Sequence, residues 1–109
     1  MKLALIFLNK IEYLEDLLSA FLEIGISGAT IVDSVGMGHI ISQHIPIFAG
    51  LRDTFAGSSP IQKIILVVVK EDMVSRINEV LADICINIDE SRAYFMISLP
   101  IEDLFGFNK

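Results

Sequence analysis

The tightest constraint on what this chain can fold into is the order in which its apolar patterns alternate. Leu3–Leu8 is apolar at every position, the pattern of a strand buried in mid-sheet. Asn9 is placed to cap a following helix, and Glu12 three residues later completes a capping-box pattern. Leu14, Leu17, Leu18, Phe21 and Leu22 then recur at helical spacing, with Glu12, Glu15, Asp16, Ser19 and Glu23 opposite them. That spacing predicts an amphipathic helix laid on a sheet, stopped by Gly25. Ala29–Val35 and Ile61–Val69 read as a second and a third strand, the third rich in Ile and Val and long enough to be central. From Asp72 onward Met73, Val74, Ile77, Val80, Leu81 and Ile84 share one face of a second helix. A polar stretch leads to a fourth strand, Ala93–Leu99, ended by Pro100.

The order β-α-β-β-α-β predicts an α+β, ferredoxin-like sandwich: a four-stranded antiparallel sheet with both helices on one face. At 109 residues, positions 1–109 form a single domain, with no repeat or linker in the pattern. Such an arrangement leaves the other sheet face apolar and uncovered. Composition agrees, since hydrophobic residues make up 53% of the chain and mean hydropathy is +0.64. Association of several copies would cover that face, so a homo-oligomer is expected.

Gly36-Met37-Gly38 bends the chain out of the second strand into a loop of about twenty residues, long for so small a domain. Paired glycines free backbone N–H groups to line a concavity, which makes the bend a candidate ligand cradle. The loop is apolar, carrying Ile40, Ile41, Ile45, Ile47, Phe48, Leu51 and Phe55. Pro46 suits a first helical position and Gly57 a terminator, so a short extra helix is expected in this loop between the second and third strands. Its apolar side would lie on a neighbouring copy or meet a partner.

Charge narrows the partners. A net charge of −6 opposes phosphate backbones and anionic lipid surfaces, which argues against nucleic acid. No stretch approaches a membrane span, and the apolar start reaches Asn9, Lys10 and Glu12 too soon for a signal peptide. The single cysteine, Cys85, precludes an internal disulfide and suits the cytoplasm.

Several of these segments together resemble the nitrogen-regulatory PII signalling proteins and their PII-like relatives. They are the Met1-Lys2-Leu3 opening, the Gly25-Ile26-Ser27-Gly28-Ala29-Thr30 turn, Gly36-Met37-Gly38, Val67-Val68-Val69 and the acidic start of the second helix. The resemblance covers nearly the whole chain. It implies a homotrimer with ligand clefts between subunits and a loop that docks a target protein according to the ligand bound. It places Ser27, Gly28 and Thr30 in the turn facing an adenine, and Gly36, Met37, Gly38 and His39 along the nucleotide. It implies an adenine nucleotide, ATP, ADP or AMP, as the ligand.

The departures are specific. His39 stands where the family has arginine, giving a weaker, pH-dependent cation. Ile40 replaces the glutamine that helps hold magnesium and 2-oxoglutarate, and the loop has no tyrosine to uridylylate. Where the family has a glycine-rich, lysine-bearing phosphate loop, this chain has Asp89-Glu90-Ser91-Arg92-Ala93, and Ile101-Glu102-Asp103-Leu104 replaces the later basic residues. Two carboxylates oppose a triphosphate and leave Arg92 as the local counter-charge. A ligand with fewer charges, or none, is favoured over ATP itself.

The function expected is a trimeric, non-enzymatic PII-like regulator acting through residues 39–60 on an unidentified partner, with Ile45, Phe48 and Leu51 as docking residues. Two alternatives share the topology: an ACT-like small-molecule-sensing module and a CutA-type metal-handling trimer. The second would draw on His39 and His44, whose spacing lacks the tightness of a metal motif.

Overall fold

In the computed structural model, residues 1–37, 40, 62–85 and 93–107 are described. The strands are β1 (Lys2–Leu8), β2 (Thr30–Ser34), β3 (Gln62–Val69) and β4 (Tyr94–Pro100), and the helices are α1 (Leu14–Glu23) and α2 (Glu71–Ile84). The strands form one sheet in the order β2-β3-β1-β4, with every neighbouring pair antiparallel. This α+β arrangement is compatible with a ferredoxin-like fold. The expected helix over residues 46–57 lies outside the described residues.

β1 and β3 pair along their whole length, from Lys2 opposite Val69 to Leu8 opposite Lys63. Successive side chains alternate between faces. Ala4, Ile6 and Leu8 of β1 and Ile65, Val67 and Val69 of β3 therefore share one face, and all are buried. Leu17 and Phe21 of α1 and Ile77 and Leu81 of α2 pack into the same core, with Met73, Val74, Val80, Ile84, Tyr94 and Met96 around it. Both helical stripes expected from the sequence thus meet the sheet, and Cys85 is a buried core residue at the end of α2.

The other face is built by the same register. Phe95, Phe7, Ile64 and Val32 form one cross-strand row, Ile97, Leu5, Leu66 and Thr30 a second, and Leu99, Leu3 and Val68 a third. No charged residue stands in these rows. Phe7 and Phe95 stack with ring centroids 4.4 Å apart. Among the described residues no layer of helices covers this face, and Phe95, Ile97 and Leu99 are 50%, 42% and 45% exposed.

Three local expectations need correcting. The chain enters α1 through a 3₁₀ turn, Ile11–Tyr13, and neither start carries a side-chain cap, so the Asn9–Glu12 capping box does not set the helix start. Asn9 instead turns to the sheet, its Oδ1 accepting a hydrogen bond from Gln62 Nε2 at 2.6 Å. Leu22 is exposed, because it lies a further 100° around the helix from Phe21, beyond the buried stripe. Pro100 closes β4 as its last paired residue, opposite Lys2. An edge strand tolerates it, since its missing N–H can fall on the unpaired side.

Candidate functional site

The ends of β2 carry two separate groups of candidate residues. The first begins where α1 stops. Gly25 has φ +93°, a left-handed conformation that costs other residues roughly 1–2 kcal/mol. Its N–H donates to Leu22 O at 3.2 Å and the Ile26 N–H donates to Phe21 O at 2.8 Å. This is a Schellman closure, with Ile26 and Phe21 both in the core. The turn fixes the direction of Ser27, Gly28 and Thr30, which line a cleft of about 970 Å³. That volume is at the upper end for small-molecule sites, roughly 300–1,000 Å³.

The opposite wall comes from distant segments. Leu66 and Val68 arrive from β3, Lys70, Asp72 and Met73 from the junction with α2, and Phe107 from the C-terminal segment. The chemistry is consistent across the cleft: an apolar wall, the hydroxyls of Ser27 and Thr30, and one charge of each sign. Such a lining offers both apolar contact and hydrogen-bonding groups to a small molecule. Sequence reasoning missed this second wall. The partial signal was pairing: once Thr30 stands opposite Leu66, the end of β3 and the start of α2 must flank the turn.

The second group lies at the far end of β2. Ser34 Oγ sits 3.1 Å from both the carbonyl oxygen and Oε1 of Gln62. Gln62 joins Asn9, whose N–H donates to Ala93 O at 2.9 Å. Polar contacts therefore tie together the end of β1, both roots of the long loop and the entry to β4. Beyond them the Ile40 N–H donates to Gly36 O at 3.3 Å. Met37 is exposed.

From Thr30 to Gly36 the extended chain covers about 20 Å at roughly 3.3 Å per residue. Ser27, Gly28 and Thr30 are therefore brought together, and Gly36 and Met37 are not brought to them within one chain. Gly38, His39 and Arg92, with the loop residues Ile45, Phe48 and Leu51, lie outside the described residues.

The glycines are informative for what they do not require. Neither Gly28 nor Gly36 has a positive φ, and a Cβ at either position would meet nothing within 4 Å. Gly36 therefore adopts no backbone conformation that requires glycine. The isolated chain would tolerate alanine at both positions.

The titratable groups that shift lie away from both ends of β2. Burial pushes the Cys85 thiol above its ordinary value. Burial also raises the Tyr94 phenol, with the nearby Cys85 adding to the effect, while Tyr94 Oη donates to Asn78 Oδ1 at 3.1 Å. A raised thiol is a poor nucleophile. Among the described residues no group of three or more His, Cys, Asp or Glu could hold a metal, and no helix is long and apolar enough to cross a membrane. No protein-family model matches the chain, and no curated protein matches it in sequence.

Proposed function

We propose that this chain is a cytoplasmic, PII-like regulatory protein that works as a homotrimer. It binds a small effector, an adenine nucleotide of low charge, at the seam between subunits. It acts through residues 39–60 on a partner protein, with Ile45, Phe48 and Leu51 making the contact.

The observation that carries the reading is the apolar sheet face that no described helix covers. Four strands about 4.8 Å apart and seven residues long present roughly 400 Å². Joining two such faces removes about 800 Å², worth about 20 kcal/mol at 25 cal/mol per Å². That exceeds the roughly 4–15 kcal/mol lost on association. Assembly also supplies what one chain lacks. Gly28 and Gly36 lie at opposite ends of β2, so a site using both needs two copies. Their open surroundings leave the space for a ligand or neighbouring backbone to approach. Ligand binding at that seam would favour one arrangement of the long loop over another.

Light scattering at micromolar concentration is the first test, with a trimer expected. A dimer would point to the ACT-like alternative, and a single-copy particle would remove the seam. Calorimetric titration with ATP, ADP and AMP is the second. AMP or ADP should release more heat than ATP, and no heat from any of them would end the nucleotide reading.

A further inference from the structure

The segment that follows β4 brings Phe107 to the cleft. The Ile101 N–H donates to Met1 O at 3.2 Å, one step beyond the last ladder pair, Lys2 with Pro100. This pins the tail beside the start of β1. To reach the cleft it must pass the ends of β1 and β3, roughly 10–15 Å at 4.7–4.9 Å per strand. The six steps from Ile101 to Phe107 span up to about 20 Å when extended, so the tail reaches with slack.

Its last turn is specified by one residue. Gly106 has φ +73°, while a Cβ there would meet nothing within 4 Å. Glycine is favoured at this position by backbone handedness alone, and that handedness separates the two aromatic residues flanking it. Phe105 is 88% exposed, whereas Phe107 is 44% exposed and lines the cleft beside Leu66, Val68 and Met73. The half-exposed ring forms part of the cleft's wall, with open space in front of it.

We propose that the chain's own Phe107 is seated on the apolar wall of the cleft and that this wall takes the aromatic ring of a ligand in its place. The Gly106 turn delivers Phe107 to the apolar wall, and an added ligand competes with it for that wall. The competition rests on the adenine-nucleotide reading above; the seating of Phe107 does not.

The full chain carrying Phe107→Trp, compared with the full chain carrying Phe105→Trp, tests the seat by fluorescence. The indole at position 107 should emit to the blue of the indole at position 105. Acrylamide should quench it about half as steeply, in proportion to exposures of 44% and 88%. Adding Gly106→Val, which forbids the left-handed turn, should make the Phe107→Trp protein as quenchable as the Phe105→Trp protein. Adding Gly106→Asn, which tolerates that turn, should preserve the protection. Equal quenching of the two single variants with Gly106 intact overturns the proposal.

Calorimetry then compares ADP and AMP binding to the parent and to Gly106→Val, with circular dichroism confirming an unchanged fold. If the tail holds its seat about nine-tenths of the time, unseating it tightens binding about tenfold. Equal affinities in the two proteins overturn the competition. No heat in either protein overturns the nucleotide reading and the competition together, and the quenching of Phe107→Trp still decides the seat separately.

Discussion

The two faces of the sheet are made from the same strands and nearly the same residue types, yet their environments differ completely. Ile6 and Ile65, facing the helices, are fully buried, whereas Ile97 and Leu99 on the reverse face are 42% and 45% exposed. Hydrophobic content does not decide which face is the core of one chain. The helices decide it, because only the covered face meets a second apolar layer. The reverse face has the composition of an interior and, among the described residues, lacks the second layer of helices.

Truncation on the covered face should produce the largest effect. Ile6→Ala leaves a cavity between β1 and the helices and should cost about 2–5 kcal/mol of stability. Ile97→Ala on the reverse face should cost the isolated chain under about 1 kcal/mol, because solvent already reaches the site. Urea denaturation of both variants, in dilute protein, measures the difference. Equal losses would mean that both faces are interior in solution, and the contrast between them would fail.

A charge on the reverse face sharpens the contrast from the other side. Ile97→Glu should leave the single-chain fold intact and weaken assembly by about tenfold or more, since burying an unpaired carboxylate is costly. Sedimentation across a concentration series reads this directly. An unchanged mass would show that the face is not what joins the copies.

Much of the covered face was legible in the sequence. Leu3–Leu8 and Ile64–Val69 are apolar throughout, and the stripes Leu14, Leu17, Leu18, Phe21 and Met73, Val74, Ile77, Leu81 keep helical spacing. The same uniform apolarity hid which face the helices would take, because a run without alternation carries no period-two signal. Leu22 misleads because a stripe's edge depends on how far the partner layer extends. The cleft was half legible. Gly25 marked the end of α1, and the family resemblance pointed to Ser27, Gly28 and Thr30 in the turn after it. Lys70, Met73 and Phe107 reach them only through strand pairing and the handedness of Gly106, neither of which leaves a local pattern.

Charge discipline on the covered side predicts a smaller, pH-dependent effect. Burial raises the Cys85 thiol pKa, so the folded chain keeps its proton where the unfolded chain releases it. The folded state therefore binds more protons through that window, and stability falls as pH climbs past the ordinary thiol value of 9.0 toward the raised one. Below that value the contribution is fully present. Cys85→Ala should flatten the decline between neutral and alkaline pH, and it also removes one cause of the raised Tyr94 phenol, leaving burial to act alone. Denaturant midpoints across the range measure both slopes. An equally steep decline in the variant would mean that the thiol is not shielded.

The smallest effect is expected where the helical cover runs out. Lys63 pairs with Leu8 and Asp33 on the helix-facing side of the sheet, at the end where the long loop leaves. The cover thins from the fully buried Leu8 toward the edge strand, where an ion pair between Lys63 Nζ and Asp33 Oδ1 replaces apolar side chains. The Asp33 side chain is 76% exposed, so solvent and salt screen the pair. Asp33→Asn should therefore cost under about 1 kcal/mol, and less still at high ionic strength. A loss of several kcal/mol that persists in molar salt would place Asp33 in an interior. The covered face would then extend to the root of the loop, and its boundary with the exposed end of the sheet would have to be redrawn.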